Sequence, residues 1–268
     1  MPFFDRRRPR VYAHRGGSAL GPENTIAAFD IGLAAGADGL ELDVRLSADG
    51  VPVVVHDPTL DRTSNSTGPV HAQSADELAR VDAGYRFRDR DGAAPFAGCG
   101  IGVPALADVL RRYPGVPTII EMKVDTEDCG VRVAQAVCAA DAVDRVCLAG
   151  FGLRSARGAR QGLPAAGASA CQVEVHHALR CSWVGWPLRG LPYHGYQVPE
   201  RSGWLRVVSR RFVRQAHQSG CAVEVWTVDE RPDMDRLLGW GVDGLISNRP
   251  DLAVAARDAY LQRKTNGS

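Results

Sequence analysis

Short β-rich runs alternate with helical patterns through almost the whole chain, and this alternation limits the possible folds more than any other feature. Extended runs are read at 11–14, 39–46, 116–122, 145–149, 166–172, 195–198, 222–227 and 242–247. Helical patterns fall between most of them, at 105–112, 129–140, 153–161, 207–219 and 232–238, and a last one runs from 251 toward 261. The first helix starts after Asn24-Thr25 and stops near Gly36, a polar start with a glycine stop. The run 51–55 follows an Asp49-Gly50 turn and reads as the return arm of a hairpin, leaving eight strands. Repeated βα units over about 250 residues predict a closed parallel (β/α)8 barrel. A doubly wound open sheet is the alternative, weakened because no G-x-G-x-x-G follows the first strand. Residues 57–102 break the alternation; polar, Gly-rich and weakly periodic, they read as an excursion over one end of the barrel. No Pro/Gly/Ser-rich linker splits the chain, so residues 1–268 are expected to form a single domain.

Composition excludes several function classes. A net charge of +1 gives no reason to expect nucleic acid or an anionic membrane as partner. No apolar run approaches the roughly 20 residues of a membrane span, and no apolar stretch follows the basic residues Arg6-Arg7-Arg8, so a secretory signal is not expected. The seven cysteines are odd in number and none has CxxC spacing, which predicts reduced thiols and a cytoplasmic setting. Lys123 and Lys264 are the only lysines, which makes Lys123 conspicuous.

Functional side chains of such a barrel gather at the C-terminal ends of its strands. Here those ends carry His14-Arg15, then Glu41 and Asp43, then Glu121-Met122-Lys123, and later Trp226-Thr227 and Asn248-Arg249. Glu41 and Asp43 are two apart on a strand and leave the same face. Two carboxylates there repel unless a cation neutralises them, and Glu121 supplies a third oxygen from a neighbouring strand. All-oxygen ligation suits Mg2+ or Ca2+ rather than zinc. The competing reading is a buried carboxylate network tied to Arg15 or Arg249. With Asp49-Gly50 as the two central residues of a tight turn, Asp43 is predicted directly across from His56, both on one face. His14 lies one strand away, and two imidazoles can divide base and acid work near neutrality. Arg15 and Lys123 add positive charge where an anion would bind. The inventory describes a phosphoryl-ester site, and equally a sugar isomerase using a divalent ion.

The motifs His14-Arg15-Gly16, Pro22-Glu23-Asn24-Thr25, Glu41-Leu42-Asp43-Val44 and His56-Asp57 resemble, in order, those of glycerophosphodiester phosphodiesterases. The match continues through Asp61-Arg62-Thr63, Glu121-Met122-Lys123, Val225-Trp226-Thr227-Val228 and Gly241-Val242-Asp243-Gly244 to Arg249-Pro250-Asp251. The resemblance implies a TIM barrel with an insertion at about 57–103, after the hairpin that follows strand 2. It implies His14 and His56 as general acid and base, and Glu41, Asp43 and Glu121 holding one Ca2+ or Mg2+. Arg15 and Lys123 would contact phosphate, and Trp226 would pack on glycerol. The implied reaction is hydrolysis of a small-molecule glycerophosphodiester to an alcohol and sn-glycerol 3-phosphate. A lysophospholipase D or sphingomyelinase D-like activity on lipids is the alternative, and would need an exposed apolar rim near the barrel mouth. A catalytically silent sensor would have lost a histidine or a carboxylate; none is missing. Two positions depart from the family's pattern, Gly150 where serine is common and Ser247-Asn248 where Thr-Asp is common. Trp183 and Trp186 are open between pocket lining and loop anchoring, and Tyr85, Phe87 and Phe96 between lid and ordinary packing.

Overall fold

The computed structural model describes residues 2–4, 8–186 and 188–266; Asp5–Arg7 of the basic N-terminal stretch and Pro187 lie outside the described residues. Eight parallel strands form the barrel: β1 (Arg10–His14), β2 (Gly39–Leu46), β4 (Thr118–Met122), β5 (Val146–Gly150), β6 (Gly167–Ala168), β7 (Gly195–Pro199), β10 (Ala222–Trp226) and β11 (Gly244–Ser247). Each pairs with its neighbour in chain order, β11 pairs with β1, and a parallel bridge from Ser169 to Gly195 closes the gap between β6 and β7. The open-sheet alternative is therefore excluded. The strand β3 (Pro52–Val54) runs antiparallel on β2 outside the ring, and a two-rung hairpin of β8 (Arg201–Ser202) and β9 (Leu205–Arg206) follows β7.

The helices are α1 (Ile26–Ala34), α2 (Ala75–Leu78), α3 (Leu106–Arg112), α4 (Glu127–Ala139), α5 (Leu153–Gly162), α6 (Gln172–Val184), α7 (Arg210–Gln218), α8 (Arg231–Trp240) and α9 (Pro250–Asn266). Outward strand residues such as Val11, Leu40, Leu42 and Val225 pack with helix residues such as Phe29, Val133, Phe212 and Leu237 in two large apolar clusters. Inside the ring, Tyr12, Ile119, Cys147 and Ile246 form a smaller cluster. Phe3 joins it from the N-terminal segment, its ring stacked 5.9 Å from that of Tyr12. A filled lower barrel leaves only the strand C-terminal ends for a site. Residues between β3 and α3 form turns, a short 3-10 helix and α2 around a separate small core that includes Val53, Leu60, Leu78 and Val103. All seven cysteines are free, and four of them, Cys129, Cys147, Cys171 and Cys221, are buried.

Two sequence expectations are corrected. First, the hairpin register is Val44↔Val54 and Arg45↔Val53, one residue away from the tight-turn pairing. Ser47 and Val51 close the loop around Ala48-Asp49-Gly50, a three-residue turn ending in Gly50 at φ +75°, a left-handed conformation that glycine adopts without strain. Asp43 consequently bonds to Val55, whose N–H donates to its carbonyl at 2.9 Å, and not across to His56. A one-residue slip turns a side chain to the opposite face. Second, the extended run predicted at 166–172 is only two residues of strand plus the Ser169 bridge, and residues from Gln172 onward are helical. Glu174 caps this α6 by accepting from the Cys171 N–H at 2.8 Å.

Candidate active site

Strand register assembles the acidic group. Asp43 of β2 pairs with Glu121 of β4, and Glu41 pairs with His14 of β1. One carboxylate oxygen each from Glu41, Asp43 and Glu121 lies within 4.8 Å of the others. Glu41 and Asp43 are fully buried. Burial and the neighbouring Asp43 and Glu121 charges push the Glu41 carboxyl well above its usual range. Burial also raises Glu121, against the pull of Lys123. Burial alone would raise Asp43 too, but Lys123 and Arg15 outweigh it and hold this carboxyl low. Lys123 Nζ lies 3.0 Å from Asp43 Oδ1 and also pairs closely with Glu121. Arg15 Nε lies 3.1 Å from Asp43 Oδ2. The competing arginine reading is thus half realised: Arg15 does tie into the carboxylates, whereas Arg249 pairs with Asp251 instead.

A hard divalent cation fits this group on two grounds. Asp43 Oδ1 is buried and accepts no hydrogen bond of good geometry. The three acids together offer only oxygen, and their mutual repulsion, which adds to burial in raising Glu41, is relieved by positive charge among them. Glu41, Asp43 and Glu121 are the residues that would hold it.

Both histidines reach the same cavity, which is also lined by Arg15, Glu41, Glu121, Lys123 and Trp226. His56 arrives although the register argument fails, because the chain leaves strand geometry after Val54 and bends, while Arg45 Nε donates to the His56 carbonyl at 2.7 Å. Its Nδ1 is 2.6 Å from Asp57 Oδ1. Burial alone would raise Asp57, but hydrogen bonds from Arg62 and His56 bring it down to about 2. His14 Nδ1 is 2.6 Å from Asn248 Oδ1. Asn248 is itself fixed, since its Nδ2 donates to Asp229 Oδ2 at 2.7 Å and Ser18 Oγ donates to its Oδ1. The amide oxygen must therefore accept from His14, which places the ring proton on Nδ1 and leaves Nε2 bare, 3.8 Å from Glu41 Oε2. Burial pulls the His14 imidazole below its usual range, favouring this neutral form.

Three supporting residues had no assigned role in the sequence. Asn24 Nδ2 donates to Asp43 Oδ2 at 2.9 Å while the Asp43 N–H donates to Asn24 Oδ1 at 3.1 Å. Asn24 and Arg15 both adopt left-handed φ, +59° and +51°, and the Asn24 N–H donates to the Arg15 carbonyl, so two strained residues brace each other at the site. Glu23 accepts from Arg15 and from both terminal nitrogens of Arg62. Asn24 and Glu23 stand inside the Pro22-Glu23-Asn24-Thr25 motif, the signal from which they were recoverable. Asp229, which holds Asn248, stands two residues after Trp226-Thr227 and carried no such signal. Trp183 and Trp186 lie at or just past the C-terminal end of α6, exposed, and line neither cavity at the barrel mouth. Phe87 and Phe96 pack edge to face at 5.4 Å, and Tyr85 is exposed.

Comparisons with known proteins agree with this architecture. The profile of the Glycerophosphoryl diester phosphodiesterase family matches residues 14–252. A glycerophosphodiester phosphodiesterase of Caldanaerobacter subterraneus subsp. tengcongensis is 30% identical over 249 residues, covering 91% of this chain and 96% of that one. The crystal structure of a glycerophosphodiester phosphodiesterase from Agrobacterium tumefaciens superposes with a TM-score of 0.73 at 30% identity, over 92% of this chain and 99% of the other. A phosphodiesterase of Oleispira antarctica, solved with the product sn-glycerol-3-phosphate, shares the fold at a TM-score of 0.73 and 21% identity, over 94% and 97% of the two chains. With the profile spanning every strand end that carries the acids and imidazoles, this chain belongs to the glycerophosphoryl diester phosphodiesterase family, a family of hydrolases.

Proposed function

We propose that this chain hydrolyses glycerophosphodiesters to an alcohol and sn-glycerol 3-phosphate in a reaction dependent on one divalent cation, Ca2+ or Mg2+. The observation that carries this reading is one cavity bordered by two imidazoles, two of the three clustered carboxylates and two fixed cations. The whole chain acts as one catalytic domain, with residues 57–103 as its insertion. Glu41, Asp43 and Glu121 would hold the cation, which would supply positive charge at the phosphoryl group. Arg15 and Lys123 orient the phosphate, and Trp226 packs on the glycerol. His14, neutral with Nε2 bare, takes the proton of the attacking oxygen, which is either the substrate's own 2-hydroxyl or a water. His56, its Nδ1 turned to Asp57, presents Nε2 to the leaving alcohol and protonates it.

The test is a metal-by-substrate screen on chelator-stripped protein. Glycerol 3-phosphate should appear from glycerophosphocholine when Mg2+ or Ca2+ is restored, and not with chelator present. His14→Ala and His56→Ala should each lose about 10²–10⁴-fold in kcat/KM. Full activity after both substitutions would refute the acid–base assignment.

A further inference from the structure

The net charge of +1 averages over a chain whose charge is strongly segregated. Between the start of β5 at Val146 and the start of β10 at Ala222 there are ten arginines and only two acids, Glu174 and Glu200. Both acids are already taken, Glu174 by Arg160 and Glu200 by Arg236. The rest of the chain is correspondingly acidic, so one sector of the barrel wall is basic while the whole is nearly neutral.

The helices α6 and α7 turn this excess outward, together with apolar side chains that the active site leaves unused. On α6, Ala178, Leu179 and Ser182 are buried, whereas Arg180, Trp183 and Val184, three and four positions apart, share the exposed face. The helix stops at Gly185 in the left-handed region, φ +72°, and Trp186 follows. Trp183 is 54% exposed, Val184 75% and Trp186 68%. On α7, Phe212, Val213 and Ala216 are buried and Arg210, Arg211 and Arg214 are exposed. Two contacts set these surfaces side by side. Gln215 Nε2 donates to the Trp186 carbonyl at 2.5 Å, and a β-carbon on Gly185 would lie 3.7 Å from Arg211 Nη2. Among the described residues, Arg180, Arg189, Arg210, Arg211 and Arg214 pair with no acid.

The chemistry of this patch selects its occupant. Unpaired arginines attract an anionic surface. Nucleic acid would use the indole rings as stacking platforms, but an exposed valine between two tryptophans offers a base nothing to stack on. The headgroup region of a bilayer suits all three groups: negative charge for the guanidinium, an amphipathic layer for the indole and a hydrocarbon boundary for the valine. We propose that the outer face of α6 and α7 docks this protein peripherally on an anionic lipid bilayer. The docking is by one face only, since no helix among the described residues is long and apolar enough to cross a membrane. The patch reaches the rim of the barrel mouth, because Arg210 opens α7 shortly after the β8–β9 hairpin, whose turn carries Trp204 at 91% exposure.

Vesicle sedimentation of the full chain tests this, comparing phosphatidylcholine vesicles with vesicles in which about a third of the lipid is phosphatidylglycerol. Binding to the anionic vesicles should be at least about tenfold tighter, and should fall steeply by about 1 M NaCl, where the Debye length is about 3 Å. Arg211→Ala combined with Arg214→Ala should weaken it about 30-fold, at about 1 kcal/mol for each arginine near an anionic surface. Trp183→Ala combined with Trp186→Ala should also weaken it, and should abolish the blue shift of tryptophan emission that accompanies docking. All four side chains are exposed, so the urea midpoints of both double variants should match the parent's. Equal binding to the two vesicle types, or full binding by both double variants, would overturn the proposal. So would binding to neither vesicle, with or without capture of a single-stranded DNA oligonucleotide. Glycerophosphodiester hydrolysis is read separately, so failure of docking leaves the phosphodiesterase reading standing.

Discussion

Asn24 offers a quantitative test of how the acidic group is held. Its side chain makes two reciprocal bonds to Asp43, one at 2.9 Å to the carboxylate and one at 3.1 Å from the backbone N–H, and both residues are buried. Asn24→Gly removes a hydrogen bond to a charged group, worth about 1.5–3 kcal/mol, and leaves a buried N–H unpaired at about 1–3 kcal/mol. Glycine at φ +59° recovers up to about 1 kcal/mol of left-handed strain. The net expectation is a loss of about 2–4 kcal/mol, with Asn24→Ala worse than Asn24→Gly because alanine keeps the strain. Urea unfolding in chelator measures this term. Calorimetric titration with CaCl2 or MgCl2 measures the second consequence, a 10–100-fold weaker cation site, because an unbraced Asp43 must be ordered on binding. Stability within about 0.5 kcal/mol of the parent, together with unchanged cation affinity, would refute the reasoning.

Three further outcomes are expected. Asn248→Asp gives His14 a charged partner that raises its pKa, so the acid limb of kcat/KM should move to higher pH; a limb that stays or moves down contradicts the His14 assignment. Glu224, fully buried in the barrel and hydrogen-bonded by Gln197, is pushed up to about 7 by burial. A raised folded-state pKa stabilises fully below the unfolded value and is lost as pH rises, so between about pH 4.5 and 7 the wild type should lose about 3 kcal/mol that Glu224→Gln does not, checked by urea midpoints across that window. Asp57→Asn removes the charged partner of His56 and one of the two of Arg62, and should lower kcat about 10-fold while KM changes little, since it acts through the ring it orients.

The barrel was legible because short strand-like runs recur between helical patterns through nearly the whole chain. Glu41, Asp43 and Glu121 were legible because charge at the end of an apolar strand is costly without a partner. Where local rules compete, reading failed. Asp49-Gly50 permits both a two-residue and a three-residue turn, and the choice between them reverses the face of every later residue in the arm. His56 still reached the cavity, for a reason residing in the bend after Val54 rather than in strand pairing. The helix α6 was missed because Val173, Val175, His176 and His177 are weak helix formers; Glu174 reaching back to Cys171 and packing against the barrel decide the segment. Asn248 and Asp229 become a pair only in three dimensions, through a contact across 19 positions of sequence.

The convergence of three acids on one hard cation is tested most directly by anomalous diffraction from crystals soaked in Mn2+ as a stand-in for Mg2+ or Ca2+. The account predicts one strong peak at about 2.0–2.6 Å from a carboxylate oxygen of each of Glu41, Asp43 and Glu121. A peak elsewhere, or none at a concentration that restores hydrolysis, would contradict it.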